Sequence, residues 1–336
     1  MGVYHLMGLG LSPGAVTGPI SYLAEIYNNW EAEGKEFFAS SGEEEQREKG
    51  ASVGGIQLLI LFTTKEVING EVDCEEYINN PCGQRVGKHE TQANMKKILE
   101  PLLMQEWSKI KAPQIGNNGI VYWCEVELRN IKTTYERIAK VLASLAKGSG
   151  SQGKEIWVNL TGGNNVINLA LQMAASLSGE VTRVYYVQAA NNIAEKCVRF
   201  TNKESYWVEL PVMPLVMSDL SNAVLDVLSL NQPMTSKELH NKLVHHQTYW
   251  SLMQGIDYEP FKDNHLRSMK KLGLITVTRG YEVGNGISTL GPQWELILEY
   301  EKIMDEALKK AAEEGLTIEN LERIETWISR QQIQLN

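Results

Sequence analysis

The sequence predicts an α/β protein: a doubly wound, mostly parallel sheet followed by a winged helix-turn-helix. Three observations predict it. Short apolar strands alternate with amphipathic helices over the first two thirds of the chain. Two strands run into glycine-bearing turns that open helices. Near Ser218 the strand-helix alternation gives way to three helices and a hairpin. The 336 residues suffice for two domains, drawn at 1–212 and 213–336.

In the first region, Val3–Gly8 is a short apolar strand, and Val16–Trp30 carries Ile20, Leu23, Ala24 and Tyr27 at helical spacing. Ser40–Gly55 is rich in Gly, Ser and Glu and reads as a solvated loop. Ile56–Phe62 is continuously apolar, as expected of a strand covered on both faces. After an irregular Glu71–Lys88, a helix is expected from Thr91 to about Lys109. The alternation then repeats: strand Val121–Leu128, helix Thr133–Lys147, turn Gly148–Gly153, strand Glu155–Leu160, helix to Ser178, strand Arg183–Ala189.

The second region opens with a helix at Leu220–Leu230. Pro233 to Ser236 can cap another at Lys237–Leu243, and Phe261–Leu272 makes a third, stopped by Gly273. Leu274–Thr278 and Gly286–Leu290 pair as a hairpin, the wing. Helical stretches at Trp294–Ala312 and Ile318–Arg330 follow. Trp250 and Trp294 are expected to anchor this domain's core.

Composition excludes several classes. No apolar run reaches the roughly 18 residues a membrane helix needs. Cys74, Cys82, Cys124 and Cys197 form no CxxC pair, so structural zinc and a disulfide framework are not expected, and a reducing cytoplasm is. His240, His245, His246 and His265 lack acidic or cysteine partners, so no metal site is expected. A net charge of −9 argues against a non-specific nucleic-acid coat. No cofactor is implied.

The chemistry concentrates in two loops. Ligands in open parallel sheets sit beyond the carboxyl ends of the strands, where the winding reverses. Gly10, Leu11, Ser12, Pro13, Gly14 and Thr17 follow the first strand; Thr161, Gly162, Gly163, Asn164 and Asn165 follow a later one. Each loop offers hydroxyls, small residues and a helix N-terminus that suits phosphate. Neither is GxGxxG after the first strand nor GxxxxGK[ST], so a dinucleotide or P-loop site is disfavoured.

Gly10-Leu-Ser-Pro-Gly-Ala-Val-Thr17 resembles the GTSPxxVT segment of CARF domains, the Rossmann-like sensors associated with CRISPR antiviral defence. Asn159-Leu-Thr-Gly-Gly-Asn-Asn165 resembles their NLTGGTK segment. The resemblance covers roughly residues 1–210, and the winged helix is similar to the C-terminal part of one CARF group of ring nucleases and regulators. It implies a homodimer gripping a cyclic oligoadenylate, cyclic tetra-adenylate foremost, across its two-fold axis; an even ring matches an isologous interface.

The same resemblance implies a reaction open to some members: metal-independent attack of a ribose 2'-hydroxyl on the adjacent phosphate, leaving a 2',3'-cyclic phosphate. The protein need only align the nucleophile and stabilise charge. Ser12 is the expected contact to the reacting group. Asn165 stands where many members carry lysine, which leaves slow cleavage and pure binding both open. The Arg-x4–6-His pattern of HEPN ribonucleases is absent; Arg85 and His89 are one residue too close.

A competing reading is a ligand-controlled DNA-binding regulator. From Ser218 to Tyr300 seven Lys/Arg face nine Asp/Glu, a net −2, yet the third helix sets Lys262, Arg267, Lys270 and Lys271 against Asp263 alone. Tyr185 and Tyr186 are expected to face helices, with Gln188 and Asn191 within reach of an adenine edge.

Overall fold

The computed structural model describes residues 2–38, 54–71, 95–147, 155–189, 205–210, 218–231, 233–279 and 286–335. Cys74, Cys82, Arg85, His89, Asn191, Cys197 and the turn at 148–153 lie outside them. By contacts the chain divides into Met1–Pro214 with Met304–Asn336, and Leu215–Ile303.

The first unit is α/β. Its strands are β1 (Val3–Gly8), β2 (Ile56–Thr63), β3 (Asn118–Glu125), β4 (Glu155–Asn159), β5 (Arg183–Ala189) and β6 (Ser205–Leu210), with a C-terminal strand, β10 (Ile328–Gln334), numbered after three in the second unit. They form one seven-stranded sheet in the order β10-β3-β2-β1-β4-β5-β6. β3-β2-β1-β4-β5 are parallel, and β10 and β6 close the two edges antiparallel.

The central strands are buried along their length, which explains their unbroken apolar runs. Their two-residue period sorts side chains onto two faces. Val3, Met7, Leu59, Leu61, Val121 and Trp123 join the core formed with α1 (Gly14–Asn28) and α3 (Met95–Trp107). Tyr4, Leu6, Ile60 and Phe62, equally buried, fall on the other face. A short helix, α2 (Lys65–Asn69), follows β2. Helices α4 (Ile131–Ala146) and α5 (Asn165–Ser178) pack on each other, each with one apolar stripe and an asparagine cap, Asn130 and Asn164.

Strand β3 begins three residues earlier than Val121, because Asn118 pairs with Gln334, and it ends at Glu125, leaving Leu128 40% exposed. The larger correction concerns the chain's end. The expected helix Ile318–Arg330 is a two-turn helix, α10 (Ile318–Ile324), followed by β10, and both belong to the first unit rather than to a 213–336 domain.

The second unit contains α6 (Asp219–Asn231), β7 (Met234–Thr235), α7 (Ser236–Val244), and α8, built of consecutive helical pieces at Tyr258–Pro260, Phe261–Leu266 and Arg267–Lys271. Strands β8 (Ile275–Arg279) and β9 (Gly286–Leu290) follow, and then α9 (Pro292–Glu314), whose residues from Met304 onward belong to the first unit. The sheet runs β7-β9-β8, antiparallel throughout. Thr235 and Glu238 form a reciprocal capping box at the start of α7. The core gathers Val224, Leu228, Leu239, Leu243, Phe261 and Met269, with Trp294 packed against it. Trp250 is 51% exposed and anchors nothing, contrary to expectation. Among the described residues, no helix is long and apolar enough to cross a membrane.

Candidate functional site at the reversal of strand order

Strand order reverses at β1: the chain winds from β1 to β2 and β3 on one side, and resumes on the other with β4 and β5. The loops after β1 and β4 therefore lie together at the carboxyl edge of the sheet, where open parallel sheets bind their ligands. They touch. A Cβ placed on Gly162 would lie 2.4 Å from the Gly8 carbonyl oxygen and 2.4 Å from Ala15 Cβ. One placed on Gly8 would meet the Gly162 oxygen at 2.9 Å, and one on Gly163 the Gly8 Cα at 3.1 Å. Gly163 has φ +86°, a left-handed backbone that favours glycine. Backbone packs on backbone here because no side chain intervenes.

The second loop is built from its own polar groups. Asn159, fully buried at the end of β4, accepts the Thr161 amide at 2.6 Å. The Thr161 hydroxyl accepts the Val187 amide of β5 at 2.8 Å, and the Leu160 amide donates to the Tyr185 carbonyl. Asn164 Oδ1 accepts the Ile167 amide as the helix cap. The first amides of α5, at Asn165 and Val166, have no acceptor within the helix and lie at its positive end. Asn165 is exposed there, while Thr161, Gly163 and Asn164 are half-buried and Gly162 is buried. Removing the Thr161 hydroxyl as Thr161→Val should strand the Val187 amide and lower stability by about 1–3 kcal/mol, with Thr161→Ser close to wild type, measured by urea unfolding.

In the first loop, Gly10, Leu11 and Ser12 are half-buried. The Ser12 carbonyl accepts the Ala15 amide, and its hydroxyl bonds nothing among the described residues. Pro13 and Gly14 are buried, and the Pro13 carbonyl accepts the Val16 and Thr17 amides. Thr17, expected at the ligand, is fully buried and donates its hydroxyl to Pro13 O at 3.2 Å. It shapes the first turn of α1 instead, because a helical threonine readily bonds the carbonyl four residues back.

Beneath the loops lies a polar chain that the sequence reading missed. His5 Nδ1 is 3.0 Å from the Tyr185 hydroxyl, and both residues are wholly buried. Trp157 packs beside His5 at 5.3 Å between ring centroids, and Trp207 stacks on Tyr185 at 4.1 Å. Burial pushes the His5 pKa down to about 3 and raises that of the Tyr185 phenol, so both are neutral at ordinary pH. Among the described residues, His5 Nε2, Asn159 Nδ2 and Asn168 Oδ1 are buried without a hydrogen-bond partner. A lone histidine within the apolar run Val-Tyr-His-Leu-Met was the available signal. Tyr186 is half-buried and Gln188 exposed.

No family model matches the chain. It is 29% identical over 252 residues to an uncharacterized protein of Archaeoglobus fulgidus, an alignment covering 66% of this chain and 73% of that protein.

Proposed function

We propose that this protein is a CARF-type sensor that binds cyclic oligoadenylate, with cyclic tetra-adenylate the first ring to test, as a cytoplasmic homodimer in CRISPR antiviral defence. The single observation carrying the proposal is the contact of the two motif loops at the point where strand order reverses. Gly8, Gly162 and Gly163 bring them together, and the Ser12 hydroxyl and the α5 N-terminus supply uncommitted donors beside them. Pairing two such sites about a two-fold axis gives each half-ring the same set of contacts.

In this reading Ser12 meets the ribose or phosphate, and Asn165 offers a neutral hydrogen bond where a cation would speed cleavage. The ring is therefore held, and opened slowly if at all, through the 2'-hydroxyl route and without metal. Isothermal titration with cyclic tetra-adenylate should give one ring per two chains. Ser12→Ala should weaken binding by about tenfold, the worth of one charge-assisted hydrogen bond. Absence of binding to both the tetra- and hexa-adenylate rings defeats the proposal. Linear product formed in EDTA, and lost in Ser12→Ala, would make the sensor a ring nuclease.

A second reading, a DNA-binding regulator answering to the same ligand, treats the Leu215–Ile303 unit as a winged helix-turn-helix. Its support is that Arg267, Lys270 and Lys271 are exposed on the helix before the β8–β9 hairpin. Lys262 does not add to that patch, being paired with Glu259. DNA affinity that changes with the ring, without turnover, would favour this reading.

A further inference from the structure

Two strands away from the reversal point, beyond the carboxyl ends of β2 and β3, the first unit holds a separate cavity of about 550 Å³. Its walls come from four distant parts of the chain: Lys65 at the start of α2, Lys96 in the first turn of α3, Glu125 and Arg137 from β3 and α4, and Trp327 and Ser329 from the C-terminal segment. Lys65, Lys96 and Arg137 thus share the space with Glu125, and because Arg137 is paired with both Glu125 and Glu127, the two lysines carry its positive balance, in a chain whose net charge is −9.

Arg137 and Lys96 are held in place. Arg137, with 17% of its side chain exposed, donates to the Glu125 carbonyl at 2.8 Å and to Glu127 at 3.2 Å, and lies over the Trp327 ring at 5.4 Å. Lys96 Nζ donates to Ser329 Oγ at 2.8 Å and lies 5.6 Å from the Trp123 ring centroid. Burial lowers the pKa of Lys96, so its ammonium is poorly hydrated and gains more from an anion than a surface lysine would. Lys65, exposed in the lining, adds a further charge. Fixed cations lose little freedom on binding, and the volume suits a small molecule.

We infer that this cavity binds a small phosphate-bearing anion, at a site distinct from the loops after β1 and β4. The charge on the ligand answers Lys65 and Lys96, and the Ser329 hydroxyl and the Lys96 ammonium converge on one side of the space.

The test uses the full chain with pyrophosphate and adenosine monophosphate as probes, by isothermal titration at low salt. Wild type should bind at least one of them. Lys96→Met should weaken that binding by about tenfold and the exposed Lys65→Ser by about threefold, with melting temperatures near wild type. Ser12→Ala should leave it unchanged, which separates this cavity from the reversal-point site. No heat from either probe up to about 10 mM overturns the inference. So does equal affinity in wild type and Lys65→Ser, or binding lost in Ser12→Ala but kept in the lysine variants.

Discussion

Gly162→Ala is expected to abolish nucleotide binding while leaving a folded protein. The new methyl would sit 2.4 Å from both the Gly8 oxygen and Ala15 Cβ, and the first of these is backbone that cannot swing aside. The loops must part by the better part of an ångström, at about 1–3 kcal/mol of stability. Binding suffers more, because a donor set displaced by that distance no longer converges on one phosphate. Gly10→Ala is the matched control: nothing lies within 4 Å of a Cβ there, so stability should not change. Calorimetry with cyclic tetra-adenylate and urea unfolding of both variants decide the matter. If Gly162→Ala binds as wild type does, contact between the loops is irrelevant to function.

The second large effect is a pH dependence of stability centred on His5. In the folded protein its pKa is pushed down to about 3, while in the unfolded chain it returns to the ordinary value near 6.5. Below 6.5 the unfolded state therefore binds a proton that the folded state refuses. Stability is complete above that value and falls as pH drops toward about 3. Between pH 7 and 5 the loss should be about 2 kcal/mol. Tyr185, its hydrogen-bond partner, does not titrate in that window, since burial moves its phenol upward. Urea unfolding of wild type and His5→Gln at the two pH values isolates the contribution. The variant should lack this part of the slope, whatever the exposed carboxylates add to both. Identical slopes would mean that His5 is hydrated or protonated in the folded state.

Much of this architecture could be read from the sequence because burial on both faces writes continuous apolar runs. Val3–Gly8 and Ile56–Thr63 were plain for that reason. Helix α5 was bounded by its own chemistry, with Asn164 as cap and Gly179 in the left-handed conformation at its end. The contact of the two loops followed from topology, since both turns leave parallel strands at the same edge. Strand β10 was not legible: Ile-Ser-Arg-Gln-Gln-Ile-Gln is an edge strand with only Ile328 and Ile333 buried, and polar side chains protect such an edge from further pairing. Thr17 was misread because a hydroxyl beside a glycine turn resembles a ligand contact, and only coordinates reveal that it bonds back to its own helix. The pairing of His5 with Tyr185 joins residues 180 positions apart, which no local pattern encodes.

The position of β10 has a consequence for biosynthesis. Its partner, β3, leaves the ribosome some two hundred residues earlier, and the whole of Leu215–Ile303 is made in between. Throughout that interval the nascent sheet presents the unpaired backbone of β3, a template for any passing extended segment. A truncation after Ile324 leaves that edge without its partner for good.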